Sequence, residues 1–147
     1  MPSPSMEERI RYYKSELYNY NYCLAELREH DLQLTKIKND LLGVSAPPTD
    51  QPAISSGPPK DRKVALIHTK DKLELKRNSF LVRIETIDAD LAKLRTGERE
   101  LLVDLFIRSR YDPKKTTYEK KSSEMERPDK WLKRHVDKII KNILENR

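Results

Sequence analysis

From Ile10 the apolar residues recur as Ile10, Tyr13, Leu17, Tyr20, Leu24 and Leu27, in steps of three and four. That spacing places them on one stripe of an α-helix, the seam of a coiled coil, whereas a strand would need a period of two. After Leu27 the strict register meets Asp31 and Lys38, while Leu34, Ile37, Leu41 and Val44 mark a shifted seam. A shift of this kind re-phases the supercoil locally. The pattern predicts one helix over about residues 5–43, with Gly43 as its C-cap.

Residues 44–60 read VSAPPTDQPAISSGPPK, and no helix crosses them, because interior prolines delete hydrogen bonds and clash with the preceding turn. The segment is expected to be a loop, with Ala53 and Ile54 its only apolar anchors. A second helix is expected from near Asp61, with the seam Leu66, Leu73, Phe80, Ile84, Ile87, Leu91 and Leu94. Two helices of similar length joined by a loop suggest an antiparallel hairpin. The alternative is that each pairs with its copy in another subunit. A two-helix hairpin buries little by itself, so residues 6–43 and 61–95 are expected to form a homo-oligomer. Tyr12, Tyr18 and Tyr22 lie off the seam, as filler at a wider helix interface or as a stacking surface. Cys23 beside the seam reads as a buried small hydrophobe.

Composition agrees with narrow apolar stripes. Charged residues make up 37% and hydrophobic ones 36%, with 3 Gly in 147 residues, too polar for a compact mixed α/β domain. One cysteine excludes a disulfide scaffold, MPSPSMEER does not read as an export signal, and no apolar run suits a membrane span. The expectation is a soluble cytoplasmic protein with no membrane partner.

The C-terminal third changes character. Thr96 reads as an N-cap with Glu98 and Glu100 in the first turn, followed by the broad apolar face of Leu101, Leu102, Leu105, Phe106 and Ile107. Tyr111-Asp112-Pro113 reads as a turn. A short helix follows, capped by Thr116 or Thr117 with Tyr118 and Met125 as apolar contacts, and then a turn at Glu126-Arg127-Pro128. Pro128 suits the first position of the last helix. This helix carries Trp131, Leu132, Val136, Ile139, Ile140 and Ile143 on one face and Lys130, Lys133, Arg134, Lys138 and Lys141 mainly on the other. That order is a helix-turn-helix arrangement, with the last helix suited to a major groove.

Charge follows the same division. The whole chain carries +6, and residues 113–141 hold ten basic and five acidic residues, against 16 and 14 in residues 1–95. Lys and Arg can bond guanine edges, and lysines neutralise phosphates, so duplex DNA at a promoter or operator is the expected partner. A merely solvated basic helix is the plainer alternative. The expected contact set comprises Lys114, Lys115, Thr117, Tyr118, Lys120, Asp129, Lys130, Lys133, Arg134, His135 and Lys138.

The runs LRTGERELLVDLFIRSRYDP and TTYEKKSSEMERPDKWLKRHVDKIIKNIL resemble the region-4 helix-turn-helix of sigma factors. Glu98 and Arg99 match its opening charge pair, Tyr118 the aromatic that opens the bracing helix, and Ile139-Ile140 the late hydrophobic pair. Lys121 and Ser122 stand where an apolar residue and an alanine are usual. With its helical N-terminal part, the chain resembles the RinA/ArpU-type phage transcriptional regulators. The resemblance implies an activator of late or packaging operons that works beside host RNA polymerase in the bacterial cytoplasm, nucleoid-associated when bound. It also implies groove-facing roles for Asp129, Lys130, Lys133, Arg134 and His135.

An enzyme is not expected: His30, His68 and His135 are scattered, zinc spacing is absent, and no phosphate-loop or nucleophile motif occurs. No cofactor or metal is expected. The expected fold is all-α, with a long N-terminal antiparallel helical hairpin or coiled coil over 1–95 and a sigma-region-4-like helix-turn-helix over 96–147. The rival functions are a coiled-coil adaptor and a small terminase-like packaging protein.

Overall fold

The computed structural model describes residues 3–45 and 59–147, and all their regular structure is helical. The elements are α1 (Met6–Tyr18), α2 (Tyr20–Ser45), α3 (Pro59–Ala92), α4 (Thr96–Leu102), α5 (Tyr118–Glu124) and α6 (Asp129–Glu145). A π-helical turn, Val103–Ile107, continues α4. Residues 46–58, with Ala53 and Ile54, lie outside the described residues. The fold is all-α and contains a long helix pair, as the seams predict.

Two compact units result, one of Met1–Tyr22 with Arg83–Arg147, the other of Cys23–Val82. Residues 96–147 therefore belong to a unit that also holds α1 and the end of α3. Its core joins Tyr13 and Leu17 of α1, Ile87 and Leu91 of α3, Leu101 and Leu102 of α4, Leu105 and Phe106 of the π-helical turn, and Leu132, Val136, Ile139, Ile140, Ile143 and Leu144 of α6. Leu17, Leu102, Leu132, Val136 and Ile140 are wholly excluded from solvent. Each such side chain contributes about 1.5–3 kcal/mol of transfer free energy. Polar groups close the core at one end: the Tyr13 hydroxyl donates to Asp90 at 3.1 Å, and Arg147 donates to the same carboxylate at 2.6 Å. Glu16 pairs with Arg83 at 2.8 Å across α1 and α3.

Helix α1 starts in a capping box, in which the Glu8 N–H donates to the Ser5 hydroxyl and the Ser5 N–H to the Glu8 carboxylate. The single helix expected over 5–43 is interrupted at Asn19, which caps α1. Asparagine is a weak helix former, and side chains after it hold the break: Tyr20 donates to Asp88 at 2.8 Å, and Asn21 to the Ile107 carbonyl at 2.6 Å. Gly43 is not a C-cap, since α2 runs on to Ser45.

Further along, Arg95 rather than Thr96 occupies the N-cap of α4. Arg99 explains the early start by donating back to the carbonyls of Leu91 and Leu94, which draws the new helix against the end of α3. Pro128 is likewise the N-cap of α6 rather than its first residue. Met125 remains 37% exposed instead of packing inward.

Between α5 and α6 the Glu126 N–H donates to the Ser123 carbonyl and the Arg127 N–H to the Ser122 carbonyl, the paired bonds of a Schellman motif. Glu126 takes the left-handed position at φ 56°, where a side chain is strained and glycine is not. Glu126→Gly is therefore expected to raise stability by about 1 kcal/mol, read as a higher melting temperature.

Among the described residues of the second unit Cys23, His30 and Leu34 are buried, with Leu66, Leu73 and Phe80 of α3 half-buried. His30 meets Phe80 at 5.6 Å between ring centres and Asp31 pairs with Arg77, so numbering runs oppositely along α2 and α3 and the pair is antiparallel. Asp31, expected as a polar step in the strict register, is exposed and paired at the flank, and His30 is the buried residue beside it. Nδ1 of His30 donates to the Glu26 carbonyl at 2.6 Å, which lets an imidazole occupy a seam position.

Candidate nucleic-acid interface

Helix α6 is amphipathic over its length, and its apolar face is pinned in the core of the first unit. That pinning sets which side chains reach solvent. Lys130, Lys133, Arg134, Lys138 and Lys141 are all exposed, and helical periodicity gathers them on one side of the helix. Asp129 is exposed at the start of the helix, where its carboxylate accepts from Ser122 of α5. The Ser122 hydroxyl also lies 2.9 Å from the Glu119 carbonyl. The buried serine thus ties the short helix to the first residue of α6 across the turn.

The other expected contact residues divide. Lys114, Thr117 and Lys120 are exposed; Thr117 caps α5, accepting from the Lys120 N–H at 3.2 Å. Lys115 and Tyr118 are turned inward. Lys115 Nζ donates to the Leu105 carbonyl and sits 5.7 Å from the Tyr18 ring, and burial lowers its pKa. Tyr118 packs on the core edge-on to Phe106 at 6.2 Å, with Lys133 Nζ 5.7 Å from its ring. His135 is half-buried and stacks on Trp131 at 4.9 Å, while Arg127 covers the Trp131 ring at the same distance. These three form a ladder on the flank of α6, so Trp131 is held between two side chains.

The segment leading into α5 is fixed by Arg108, which bonds Asp104 at 2.5 Å and Asp112 at 3.1 Å. The Lys114 N–H and the Arg108 guanidinium both bond Asp112 and hold its carboxyl below the usual range. The Asp104 and Asp112 hydrogen bonds in turn raise the Arg108 pKa. The Thr116 N–H donates to the Asp104 carbonyl at 3.1 Å.

Several participants carry no local signal in the sequence. Arg127 reads only as a turn residue, and Ser122 only as a poor substitute for alanine. Lys14 of α1 lies 2.6 Å from Asp137 of α6, a pair that chain order does not suggest. Tyr12, Tyr18 and Tyr22 are 68%, 57% and 59% exposed, and Tyr18 also meets Phe106 edge-on at 5.1 Å.

Burial raises the tyrosine pKa of Tyr118 and Tyr20 to about 12 and that of Tyr13 further, aided in all three by a neighbouring carboxylate, Asp137, Asp88 and Asp90 respectively. A raised folded pKa means that the unfolded chain ionises first, at the ordinary value of 10.0. The stability tied to these groups is fully present below that pH and is lost as pH rises through the folded values. Urea midpoints are therefore expected to fall as pH rises above about 10.

Among the described residues there is no group of three or more His, Cys, Asp or Glu placed to hold a metal, and no helix long and apolar enough to cross a membrane. No family model, curated protein or solved structure matches this chain.

Proposed function

We propose that the protein is a sequence-specific, duplex-DNA-binding transcriptional regulator that presents α6 to the major groove. The observation that carries this reading is the solvent face of α6, where five cationic side chains at helical spacing stand on a helix locked by its opposite face. Lys133 and Arg134 are the base-reading candidates. Lys114, Lys120, Lys130, Lys138 and Lys141 suit phosphates, and α5 braces the start of α6 through Ser122. The sigma-region-4 resemblance extends the reading to a phage or prophage activator of late or packaging genes acting beside RNA polymerase.

Self-association through the α2–α3 pair is part of the proposal. Leu32, Leu42, Val64, Ile67 and Leu75 of the second unit are 40% to 72% exposed, apolar side chains that further copies would bury. Two heads would then read spaced half-sites.

A mobility-shift titration on promoter-proximal duplexes, repeated across a salt series, tests the reading. Binding that falls steeply with salt and survives competitor DNA supports it. Absence of binding at low salt eliminates it and favours a protein-docking adaptor.

A further inference from the structure

The basic face of α6 is not purely basic. Asp137 lies within it, four residues after Lys133, three after Arg134 and four before Lys141, so by helical spacing all three cations neighbour its carboxylate. The Asp137 side chain is 47% exposed, with Oδ1 turned inward and buried. A bare charge there would stand against a phosphate backbone and oppose binding. The other two acids of the helix are engaged locally, Asp129 by Ser122 and Glu145 by Lys141 at 3.9 Å. Asp137 is met from another element: Lys14 Nζ of α1 lies 2.6 Å from its Oδ1. Leu17, one helical turn further along α1, is wholly buried in the core shared with α6, so the ammonium is delivered from a fixed backbone.

We propose that Lys14 is a positioning residue for DNA binding, cancelling Asp137 so that α6 presents an uninterrupted cationic strip to the phosphates. The inference rests on the DNA-binding reading and adds the N-terminal helix to the binding apparatus. Lys14 acts through Asp137, not by touching DNA, and this distinguishes it from Lys130 or Lys138. Its removal matters only while the carboxylate is present.

The test is a double-mutant cycle on the full-length protein, read by anisotropy of a labelled mixed-sequence duplex of about four helical turns at low salt, with a thermal melt of each variant. Lys14→Gln is expected to weaken binding about tenfold by unmasking a like charge against the backbone. Asp137→Asn is expected to tighten binding by up to about threefold. In the Asp137→Asn background, Lys14→Gln should change affinity by less than about twofold. An undiminished loss in that background would show Lys14 on phosphate directly and overturn the proposal, as would wild-type affinity in Lys14→Gln. If Lys14→Gln melts below the assay temperature, Asp137→Asn decides alone, and binding no tighter than wild type rejects the proposal. Failure of the wild-type protein to bind duplex at all is a different result, and it rejects the DNA-binding reading together with this one.

Discussion

A fragment of residues 96–147 is expected to remain largely unfolded where the full chain is helical and melts cooperatively, as circular dichroism would show. The helices of that stretch share their core with Tyr13, Leu17, Ile87 and Leu91, which the fragment lacks. Deleting even one buried leucine costs about 2–5 kcal/mol, against a total stability of about 5–15 kcal/mol for a typical domain. Removing four core side chains with their helices therefore exceeds what the remainder can retain. A chain of that size is also near the limit at which one core suffices. A graded version uses the intact protein: Leu17→Ala should lower stability by about 2–5 kcal/mol although it lies far from α6 in sequence. A fragment that folds with a sharp transition would show that α1 and α3 are dispensable to it.

Replacing Lys130, Lys133, Arg134 and Lys138 together with alanine is expected to weaken duplex binding by at least about a thousandfold, since each such side chain is worth roughly 1–3 kcal/mol. All four are exposed, and alanine is the strongest helix former, so the variant should melt no lower than the wild type. The slope of log affinity against log salt should become shallower by about 0.9 for every phosphate that is no longer neutralised. Within the set, Lys133→Ala and Arg134→Ala should relax sequence preference, and Lys138→Ala should weaken all duplexes alike. The control replaces Lys63, Lys72 and Lys76, exposed lysines of the second unit, and should leave affinity nearly unchanged. An equal loss from the control would mean that binding follows overall charge and not the α6 face.

Much of the candidate interface is legible in the linear chain because helix periodicity is a local property. The alternation of Leu132, Val136, Ile139, Ile140 and Ile143 with Lys130, Lys133, Arg134, Lys138 and Lys141 assigns both faces of α6 before any tertiary contact is known. The proline after Arg127 and the threonine before Tyr118 mark helix starts for equally local reasons. Lys115 and Tyr118 show where local reasoning stops. Both stand in the expected DNA-contact set, yet Lys115 bonds a carbonyl of the preceding π-helical turn and Tyr118 packs on Phe106, in keeping with its other reading as an apolar contact. Which way a long side chain turns depends on what the fold places beside it.

Helicity, the course of the apolar stripes and the concentration of positive charge are all legible in the linear chain, since spacing and composition act residue by residue. Which stripes share a core is set by the tertiary structure. It broke the first helix at Asn19, joined Tyr13 and Leu17 to α6, and set Lys14 against Asp137. Those outcomes depend on burial of apolar area and pairing of charge between segments distant in the chain, and helical periodicity does not encode which distant segments meet.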